Sequence, residues 1–339
     1  MDLARPLLPT DALTPPPGAL PLAGGPLWFD RAELTVPGAA PRVVAAADLP
    51  APLRQALAAP RAPLCGLTLD RPRIMGILNV TPDSFSDGGR FLDPAAAVAQ
   101  ARAMAAAGAD ILDIGGESTR PGAAEVGTQQ EIDRTAPVIE ALRAAGLTLP
   151  ISIDTRKAAV ARAALAAGAD MVNDVSGLTH DPDLAGVVAR AGVPVVVMHM
   201  RGTPATMTAQ TDYADVLAEV AQALADRVAA ARAAGIAADR IVIDPGIGFA
   251  KTGAQNLALI RGLALFHSLG LPLLLGASRK RFIGTYGGAP DPAGRMPGSV
   301  AVAVLGAQQG AQILRVHDVE ETRQAIALWR ALALGDGEE

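Results

Sequence analysis

The sequence has 339 residues, half of them hydrophobic, which is enough to form a large buried core. Its formal charge of -5 gives no overall attraction to nucleic acid or to an acidic membrane, so an anionic ligand would need a local cluster of cations. Cys65 is the only cysteine, which excludes an internal disulfide and a cysteine-based zinc cluster.

The N-terminus lacks the pattern of a signal peptide, because proline and glycine interrupt the apolar stretch "GALPLAGGPLWF". No run approaches the roughly 20 apolar residues that cross a bilayer. A chain with a single cysteine is typical of the reducing cytoplasm. We therefore expect a cytoplasmic protein that has neither a membrane nor a nucleic acid as a partner.

Residues 1–63 differ in composition from the rest of the chain. Fourteen of the 27 prolines fall in the first 72 residues, which argues against long regular elements there. The stretches "LWFDRAELTV" and "RVVAAADL" are compatible with short strands, and "APLRQALAA" with one or two helical turns. We interpret residues 1–63 as a proline-rich, partly ordered N-terminal extension whose function the sequence does not indicate.

Residues 64–339 repeat one rhythm: a short apolar run, a polar segment, an alanine-rich helix and a glycine. The runs are almost wholly apolar, as in parallel strands that are buried on both faces. Eight such runs start near Ile74, Ile111, Ile151, Met171, Val195, Ile241, Leu273 and Ile313. This alternation indicates an α/β fold, and eight units favour a closed (β/α)8 TIM barrel. The alternative is a doubly wound open sheet, but the glycine-rich phosphate loop of such sheets is missing after the first run.

Local signals predict where helices begin and end. Asp181 before Pro182 is expected to cap a helix, and Thr128 with Glu131 is expected to form a capping box. Pro137 predicts a kink in the second helix. The segment "CGLTLD" is expected to close the bottom of the barrel. Seven glycines are expected to end helices in the left-handed conformation, namely Gly108, Gly146, Gly168, Gly192, Gly235, Gly270 and Gly310.

In a barrel, the catalytic groups lie at the C-terminal ends of the strands. Asp154 follows the third run and could instead cap a helix, while Asn173 follows the fourth and could simply tie down a loop. His199, after the fifth run, could belong to the site or could be a core histidine whose hydrogen bonds are satisfied. Asp244 could accept two hydrogen bonds from the amidine-like edge of a pterin or a guanine.

Cations follow several of the runs. Arg120 in "ESTRPG" lies on a predicted turn, where it could meet an anion or remain a solvated surface residue. The run "SRKRF" contains Lys280, one of only three lysines, and could likewise be a solvated charge run. Arg315 and His317 are two residues apart and so face the same side of a strand. Many barrels bind phosphate after strands seven and eight.

The motifs "GILNVTPDSFSDGG", "DIGGESTRPGA", "SIDT", "VND", "MHMRGTPATM", "DPGIGF", "GASRKRFIG" and "RVHDV" together resemble bacterial dihydropteroate synthase, in the same order. The resemblance covers about residues 66–334. Members of that family join p-aminobenzoate to 6-hydroxymethyl-7,8-dihydropterin diphosphate, releasing diphosphate and giving 7,8-dihydropteroate for folate synthesis. Sulfonamides compete for their p-aminobenzoate pocket, and the enzymes commonly form homodimers through barrel helices.

The resemblance implies a role for each matching position. The pterin would contact Asp154, Asn173, Met198, Asp244 and Lys280. The diphosphate would contact Asn79, Thr119, Arg315, Val316 and His317, with Mg²⁺ held through Asn79. The p-aminobenzoate pocket would include Phe85, Thr119, Arg120, Pro121, Phe249 and Ser278. The residues expected to act in catalysis are Asn79, Asp87, Lys280, Arg315 and His317, with Pro82 to Gly89 forming a mobile lid.

Two other functions fit parts of this pattern. A methyltetrahydrofolate-binding methyltransferase barrel shares the pterin-binding positions but needs no diphosphate site, and "NVTPDSF", "SRK" and "RVHD" argue against it. An inactive pterin-binding paralogue is the other alternative, opposed by the intact Asn79, Arg120, Lys280, Arg315 and His317. Ala250 stands where a glycine is common in the family, and the N-terminal extension lies outside the resemblance.

Overall fold

A computed structural model describes residues 1–8, 14–80, 94–120 and 122–335. Eight parallel strands form the central sheet. They are β6 (Arg73–Asn79), β7 (Ile111–Gly115), β8 (Ile151–Asp154), β9 (Met171–Asp174), β10 (Val195–Met198), β11 (Ile241–Asp244), β12 (Leu274–Leu275) and β13 (Ile313–Val316). Their order is β11-β10-β9-β8-β7-β6-β13-β12, and a parallel bridge between Ile243 and Leu273 joins the two outer strands. The predicted (β/α)8 barrel is confirmed, and the open-sheet alternative is wrong.

Helices surround the strands as an outer ring. They are α2 (Pro94–Ala106), α3 (Thr128–Ala144), α4 (Ala158–Ala166), α5 (Leu184–Ala191), α6 (Val216–Ala233), α7 (Gly253–Arg261), α8 (Arg281–Gly287), α9 (Met296–Gln308) and α10 (Val319–Leu334). Short 3-10 helices cover Ala46–Asp48, Met207–Ala209, Ala238–Arg240, Leu263–Leu269 and Pro292–Arg295. All seven predicted helix-ending glycines have a positive φ, between 65° and 109°. None of the helices in the described ranges is long and apolar enough to cross a membrane.

The inside of the barrel begins with an apolar layer near the N-terminal ends of the strands. It is formed by Met75, Ile111, Met171, Val196, Val242, Leu274 and Ile313. Leu64 and Leu69 pack into this layer from below, and the backbones of Leu64 and Leu67 pair to form a small hairpin. The segment "CGLTLD" therefore closes the bottom of the barrel as predicted.

Of two helix-start predictions, one is wrong and the other holds only in part. The N-cap of α3 is Gly127 and no side chain caps it, because Glu131 is fully buried and pairs with Lys157 instead of turning back to Thr128. Asp183 occupies the N-cap position of α5, and its own side chain makes no capping bond. Asp181 shares its carboxylate: Oδ1 accepts the backbone N–H of Asp183 just before α5 (3.0 Å), and Oδ2 accepts that of Ala158 at the start of the neighbouring helix α4 (2.8 Å). The helix α3 runs on as one element through Pro137.

The N-terminal segment builds a small layer of its own. Its elements are β1 (Leu3–Pro6), β2 (Leu20–Pro21), β3 (Trp28–Phe29), β4 (Arg31–Thr35), β5 (Arg42–Ala45) and α1 (Ala51–Ala58). Antiparallel pairing gives the order β1-β4-β5, and α1 covers a separate apolar cluster that includes Phe29, Leu34 and Leu57. The strands β3, β4 and β5 and the helix α1 lie in the stretches where the sequence predicts them, whereas β1 and β2 lie outside those stretches. The backbone of Ala4 exchanges two hydrogen bonds with the hydroxyl of Ser268, both 2.9 Å, which docks the segment on the barrel.

Candidate active site

A polar layer lies directly above the apolar layer inside the barrel. Side chains of a strand alternate between its faces, so the residue two positions after an inward apolar residue also points inward. Ile111, Met171, Val242 and Ile313 each belong to the apolar layer. The residues two positions later are Asp113, Asn173, Asp244 and Arg315. The strand register thus brings two carboxylates, an amide and a guanidinium together at the C-terminal mouth.

Arg315 lies between two carboxylates. Its Nε donates to Oδ2 of Asp113 at 2.6 Å and its Nη2 donates to Oδ2 of Asp154 at 2.7 Å. Asn173 donates its amide N–H to the same oxygen of Asp113 at 3.1 Å. Asp113 is fully buried, and its Oδ1 has no hydrogen-bond partner among the described residues. The guanidinium is therefore fixed in orientation from two sides.

Burial and the neighbouring charges shift the pKa values of Asp154 and Arg315. Burial raises the pKa of Asp154 to about 7, and the nearby Asp113 adds to the rise while Arg315 opposes it. Burial opposes the charge of Arg315, but Asp113 and Asp154 outweigh it and raise the pKa of that guanidinium above its ordinary value. Arg315 therefore stays charged, and a ligand that donates hydrogen bonds to Asp154 would favour its ionised form.

Sequence reasoning missed Asp113. The available signal was a single acid at an inward position of the apolar run "ILDIG", and a buried charge needs a partner. Two sequence alternatives are wrong here. Asp154 does not cap α4, whose N-cap is Lys157, and Asn173 bonds to a barrel residue instead of tying down a loop.

A second wall of the mouth is formed by Asp244 and Lys280. Oδ1 of Asp244 accepts the backbone N–H of Gly246 at 2.7 Å, while Oδ2 has no protein donor among the described residues. The ammonium of Lys280 donates to the carbonyl of Ile247 and lies 4.6 Å from the ring centre of Phe249. Burial raises the pKa of Asp244, opposed mainly by Lys280, and removal from water lowers the pKa of Lys280 to about 8. Asp244 keeps one oxygen available for a ligand.

Apolar side chains line the space next to this wall. Met198 and Ala250 are buried and cluster with Val175, Met200 and Met207, and Phe249 packs against them half-exposed. Gly276 lies against this wall, since a Cβ there would be in van der Waals contact with Oδ2 of Asp244, at 3.7 Å. The arrangement offers a flat ligand an apolar face and polar edges.

The segment "SRK" contributes three different roles. Ser278 is buried and its hydroxyl lies 3.0 Å from Nδ1 of His317, and it also accepts the backbone N–H of His317 at 3.2 Å. Arg279 forms an ion pair with Asp318 at the edge of the mouth, with a left-handed φ of 56°. Of the two cations in this segment, Lys280 is the one that turns toward the interior. The solvated-run alternative holds for Arg281, which is exposed.

Val316 and His317 follow the inward Arg315 in the chain. Burial and the charge of Arg315 lower the pKa of His317 to about 4, so its imidazole is neutral at pH 7 and can donate one hydrogen bond. The side chain of Val316 packs in the apolar cluster outside the strands, so only its backbone can contact a ligand in the mouth.

Asn79 ends β6 on the side of the mouth that faces Asp154. A Cβ on Gly115 would lie 3.8 Å from Oδ1 of Asn79 and 3.7 Å from Oδ2 of Asp154, so this glycine leaves space between the two side chains. The described parts of the chain contain no group of three or more acidic, His or Cys side chains able to hold a metal. Asn79 supplies one neutral oxygen, which fits a Mg²⁺ ion whose other ligands are water and substrate phosphate.

The loop after β7 carries Thr119, which is half-buried, and Arg120, which is exposed. The N–H of Gly122 donates to the carbonyl of Pro204 at 3.1 Å, which joins this loop to the loop after β10. Phe85, Asp87 and Pro121, together with the proposed lid from Pro82 to Gly89, lie outside the described residues. The predicted roles of those residues stay predictions.

Lys251 holds the backbone of the loop that follows β11. Its ammonium donates to the carbonyls of Gly246 (2.9 Å) and Phe249 (2.8 Å) and lies 3.0 Å from Nδ1 of His199. Burial and the adjacent Lys251 lower the pKa of His199 to about 2, so His199 is a neutral acceptor, as the core-histidine alternative holds. Ala250 has a left-handed φ of 50°, a conformation that glycine adopts without strain.

Comparison with known proteins agrees with this geometry. The sequence profile described as "Pterin binding enzyme" matches residues 75–317. A dihydropteroate synthase of Synechocystis is 51% identical over 264 residues, covering 77% of this chain and 91% of that protein. The structure of Xanthomonas albilineans dihydropteroate synthase with 4-aminobenzoic acid is 52% identical with a TM-score of 0.74, covering 78% and 94% of the two chains. The same enzyme in complex with 7,8-dihydropteroate is 49% identical with a TM-score of 0.71, covering 78% and 95%. The chain therefore belongs to the dihydropteroate synthase family of pterin-binding enzymes.

Proposed function

We propose that the protein is a dihydropteroate synthase, a transferase that joins 6-hydroxymethyl-7,8-dihydropterin diphosphate to p-aminobenzoate and releases diphosphate. The observation that carries this proposal is the inward polar layer of Asp113, Asn173, Asp244 and Arg315, with Lys280 beside it, in a chain about half identical to such enzymes. Small-molecule substrates fit the relatives, whose structures contain 4-aminobenzoic acid and 7,8-dihydropteroate.

The pterin fits the mouth as a flat ring with polar edges. Asp244 has an oxygen free of protein donors, which can accept from the 2-amino group and ring N–H of a pterin. Asn173 on β9 and Asp154 on β8 lie two and three strands around the barrel from Asp244, where their oxygens can receive further donors. Met198 and Phe249 offer the ring faces an apolar contact. Lys280 donates to an acceptor on the ring edge, because its ammonium has donors left beyond its bond to Ile247.

Breaking the C–O bond places negative charge on the departing diphosphate. Arg315 is preoriented by Asp113 and Asp154, so it can meet this charge without reorganisation. The neutral His317 donates a hydrogen bond to the same group, and Ser278 orients its ring. When bound through Asn79, Mg²⁺ would supply further electrostatic stabilisation of the diphosphate oxygens. The carbon fragment left behind is a methylene cation conjugated with the electron-rich pterin, so a dissociative path is open.

The arylamine then attacks the methylene carbon. The amine of p-aminobenzoate is neutral at pH 7 and has its lone pair available, so positioning replaces a strong general base. The proposed pocket for its ring and carboxylate contains Thr119, Arg120, Phe249 and Ser278. Arg120 is exposed at the loop apex, where it can pair with the carboxylate.

The two alternative functions lack support in this geometry. A methyltetrahydrofolate-binding methyltransferase would not need a guanidinium held by two carboxylates beside a neutral His317 at the strand-eight end. An inactive paralogue would not need that preorganised cation either. Purified protein given Mg²⁺ and both substrates should form dihydropteroate, whereas transfer of a methyl group from methyltetrahydrofolate would establish the first alternative.

Two variants test the separate roles of Lys280 in pterin binding and Arg315 in turnover. Lys280→Ala should weaken binding of the dihydropterin diphosphate by about tenfold, since it removes a charged donor. Arg315→Ala should lower kcat by about 100-fold, since it removes a preorganised cation at the leaving group. Titration calorimetry for binding and initial rates for kcat measure the two effects. Equal, small effects in both variants would contradict the assignments.

The assembly and location are further proposals. A homodimer is supported by exposed leucines on two neighbouring helices, Leu305 on α9 and Leu328 with Leu332 on α10. Sedimentation equilibrium should then give twice the chain mass, and a monomer at micromolar concentration would refute it. Cytoplasmic location is supported by the single unpaired Cys65, and cell fractionation tests it.

A further inference from the structure

Four charged side chains are buried beneath the loop that follows β7. They are Glu117, Glu131, Arg156 and Lys157, each at most 9% exposed. Nη2 of Arg156 lies 2.9 Å from Oε2 of Glu117, and Nζ of Lys157 lies 2.6 Å from Oε2 of Glu131 and 3.4 Å from Oε1 of Glu117. The buried charge cluster is balanced, with two positive and two negative groups.

The buried charge cluster holds both ends of one loop. Glu117 opens the loop, and its Oε1 accepts the backbone N–H of Val126 near the loop's end at 2.8 Å. Nζ of Lys157 donates to the carbonyl of the same Val126 at 2.6 Å. Both backbone groups of Val126 are thus occupied by charged partners. The described residues of this loop, 117–120 and 122–126, are thus tied together at both ends, with Thr119 and Arg120 between the two ends.

The other contacts of this loop are weaker. The pair of Glu125 and His180 spans 3.4 Å and is largely exposed, so it contributes little. The hydrogen bond from Gly122 to Pro204 reaches another loop, not a helix. Burying four charges is costly, and apolar residues of similar size would often stabilise a protein as well. What apolar residues cannot supply is the pair of charge-assisted bonds to Val126.

We infer that Lys157, acting with Glu117, Glu131 and Arg156, is a positioning residue that fixes the loop 117–126 so that Thr119 and Arg120 meet p-aminobenzoate. The inference rests on the proposed function for its ligand. The chain of contacts runs from α3, through Glu131 and Lys157 at the start of α4, to Val126. Breaking these contacts should weaken the binding of p-aminobenzoate, while the pterin pocket formed by Asp244 and Lys280 stays intact.

Three variants separate positioning from stability. Lys157→Met removes the bond to Val126 and leaves Glu131 unpaired, so it should also lower the melting temperature. Lys157→Met combined with Glu131→Gln restores charge balance, so it should recover most of the stability while the Val126 carbonyl stays unbound. Arg143→Met is the matched control, because Arg143 lies on the same helix as Glu131 and, like Lys157, binds an acid and backbone carbonyls, but at the opposite end of that helix.

Steady-state kinetics give the first readout. The single and the double variant should raise KM for p-aminobenzoate by about tenfold, with kcat and KM for the dihydropterin diphosphate within about threefold, because positioning of one reactant is lost. Arg143→Met should lower the melting temperature and leave both KM values unchanged. A double variant whose KM for p-aminobenzoate returns to the wild-type value, together with its stability, would overturn the inference.

Hydrogen exchange gives a readout that needs no activity. In the free protein, the backbone N–H of Val126 should exchange about tenfold faster in the double variant than in the wild type, whereas peptides from α3 and α4 should not change. Unchanged exchange at Val126 would overturn the positioning role. A wild-type protein that makes no dihydropteroate would instead refute the proposed function, and the exchange result would still decide whether the buried charge cluster holds the loop.

Discussion

Lys280 is the residue whose charge state most directly links the site to pH. Its ammonium sits next to Asp244 and over Phe249, and removal from water lowers its pKa to about 8. The group is therefore protonated at pH 7 and loses its proton as the pH rises through about 8. A neutral amine is a weaker donor to the pterin and gives less compensation to Asp244.

A pH profile tests this argument. We expect kcat/KM for the dihydropterin diphosphate to fall above about pH 8, since this parameter reports the pKa values of the free enzyme. Lys280→Arg keeps a charged group to high pH, so its profile should stay flat there even if its absolute rate is lower. A wild-type profile that is flat to pH 9.5, or a Lys280→Arg profile with the same fall, would be inconsistent with the assignment.

At this scale the sequence predicted the groups but not their pairing. Asp154, Asn173, Asp244, Lys280 and Arg315 all line the mouth. The partnership of Arg315 with the unpredicted Asp113 depends on the closing of the barrel, which brings strand eight beside strand one and near strand two. Such a contact joins residues 202 positions apart. No local pattern encodes it.

The elements were predictable because their signals are local. Apolar runs fall on the eight strands, which are two to seven residues long, and glycine marks the helix ends because the chain is left-handed there. Helix starts were less predictable, because tertiary partners compete for the capping side chains. Glu131 pairs with Lys157 in the interior, and Asp181 shares its carboxylate between Asp183 and the neighbouring helix α4.

The hairpin that closes the bottom of the barrel makes an element-scale prediction. Leu64 is 1% exposed and packs under the apolar layer, so Leu64→Ala should reduce the free energy of unfolding by about 2–4 kcal/mol. KM values should stay within about twofold, because the hairpin lies at the end opposite the site. Urea unfolding and initial rates measure the two quantities. Leu67→Ala, at a half-buried position of the same hairpin, is the control and should destabilise less.

If Leu64→Ala leaves stability unchanged but raises either KM, the assignment of the hairpin to the barrel's closed end is wrong. The two leucines also separate burial from hairpin formation, since both belong to the backbone bridge. A loss of stability that is equal in both variants would indicate that the hairpin itself, not its contact with the apolar layer, is what matters.

In the molecule as a whole, packing and chemistry lie at opposite ends of the barrel. The apolar layer and the hairpin fill one end, and the polar layer opens at the other, as is general for this architecture. The N-terminal segment docks on the side, through Ala4 and Ser268, and adds an apolar cluster of its own around Phe29 and Leu57. None of its described contacts reaches Asp244, Lys280 or Arg315, and its effect on function stays open to experiment.

The most direct test of the account is turnover by the full-length protein. Purified protein with Mg²⁺, 6-hydroxymethyl-7,8-dihydropterin diphosphate and p-aminobenzoate should form 7,8-dihydropteroate and diphosphate in equal amounts, as quantified by chromatography and a diphosphate assay. Omission of p-aminobenzoate should abolish dihydropteroate, and Arg315→Ala should slow its formation. Folded protein that binds the pterin diphosphate but forms no dihydropteroate would contradict the central claim.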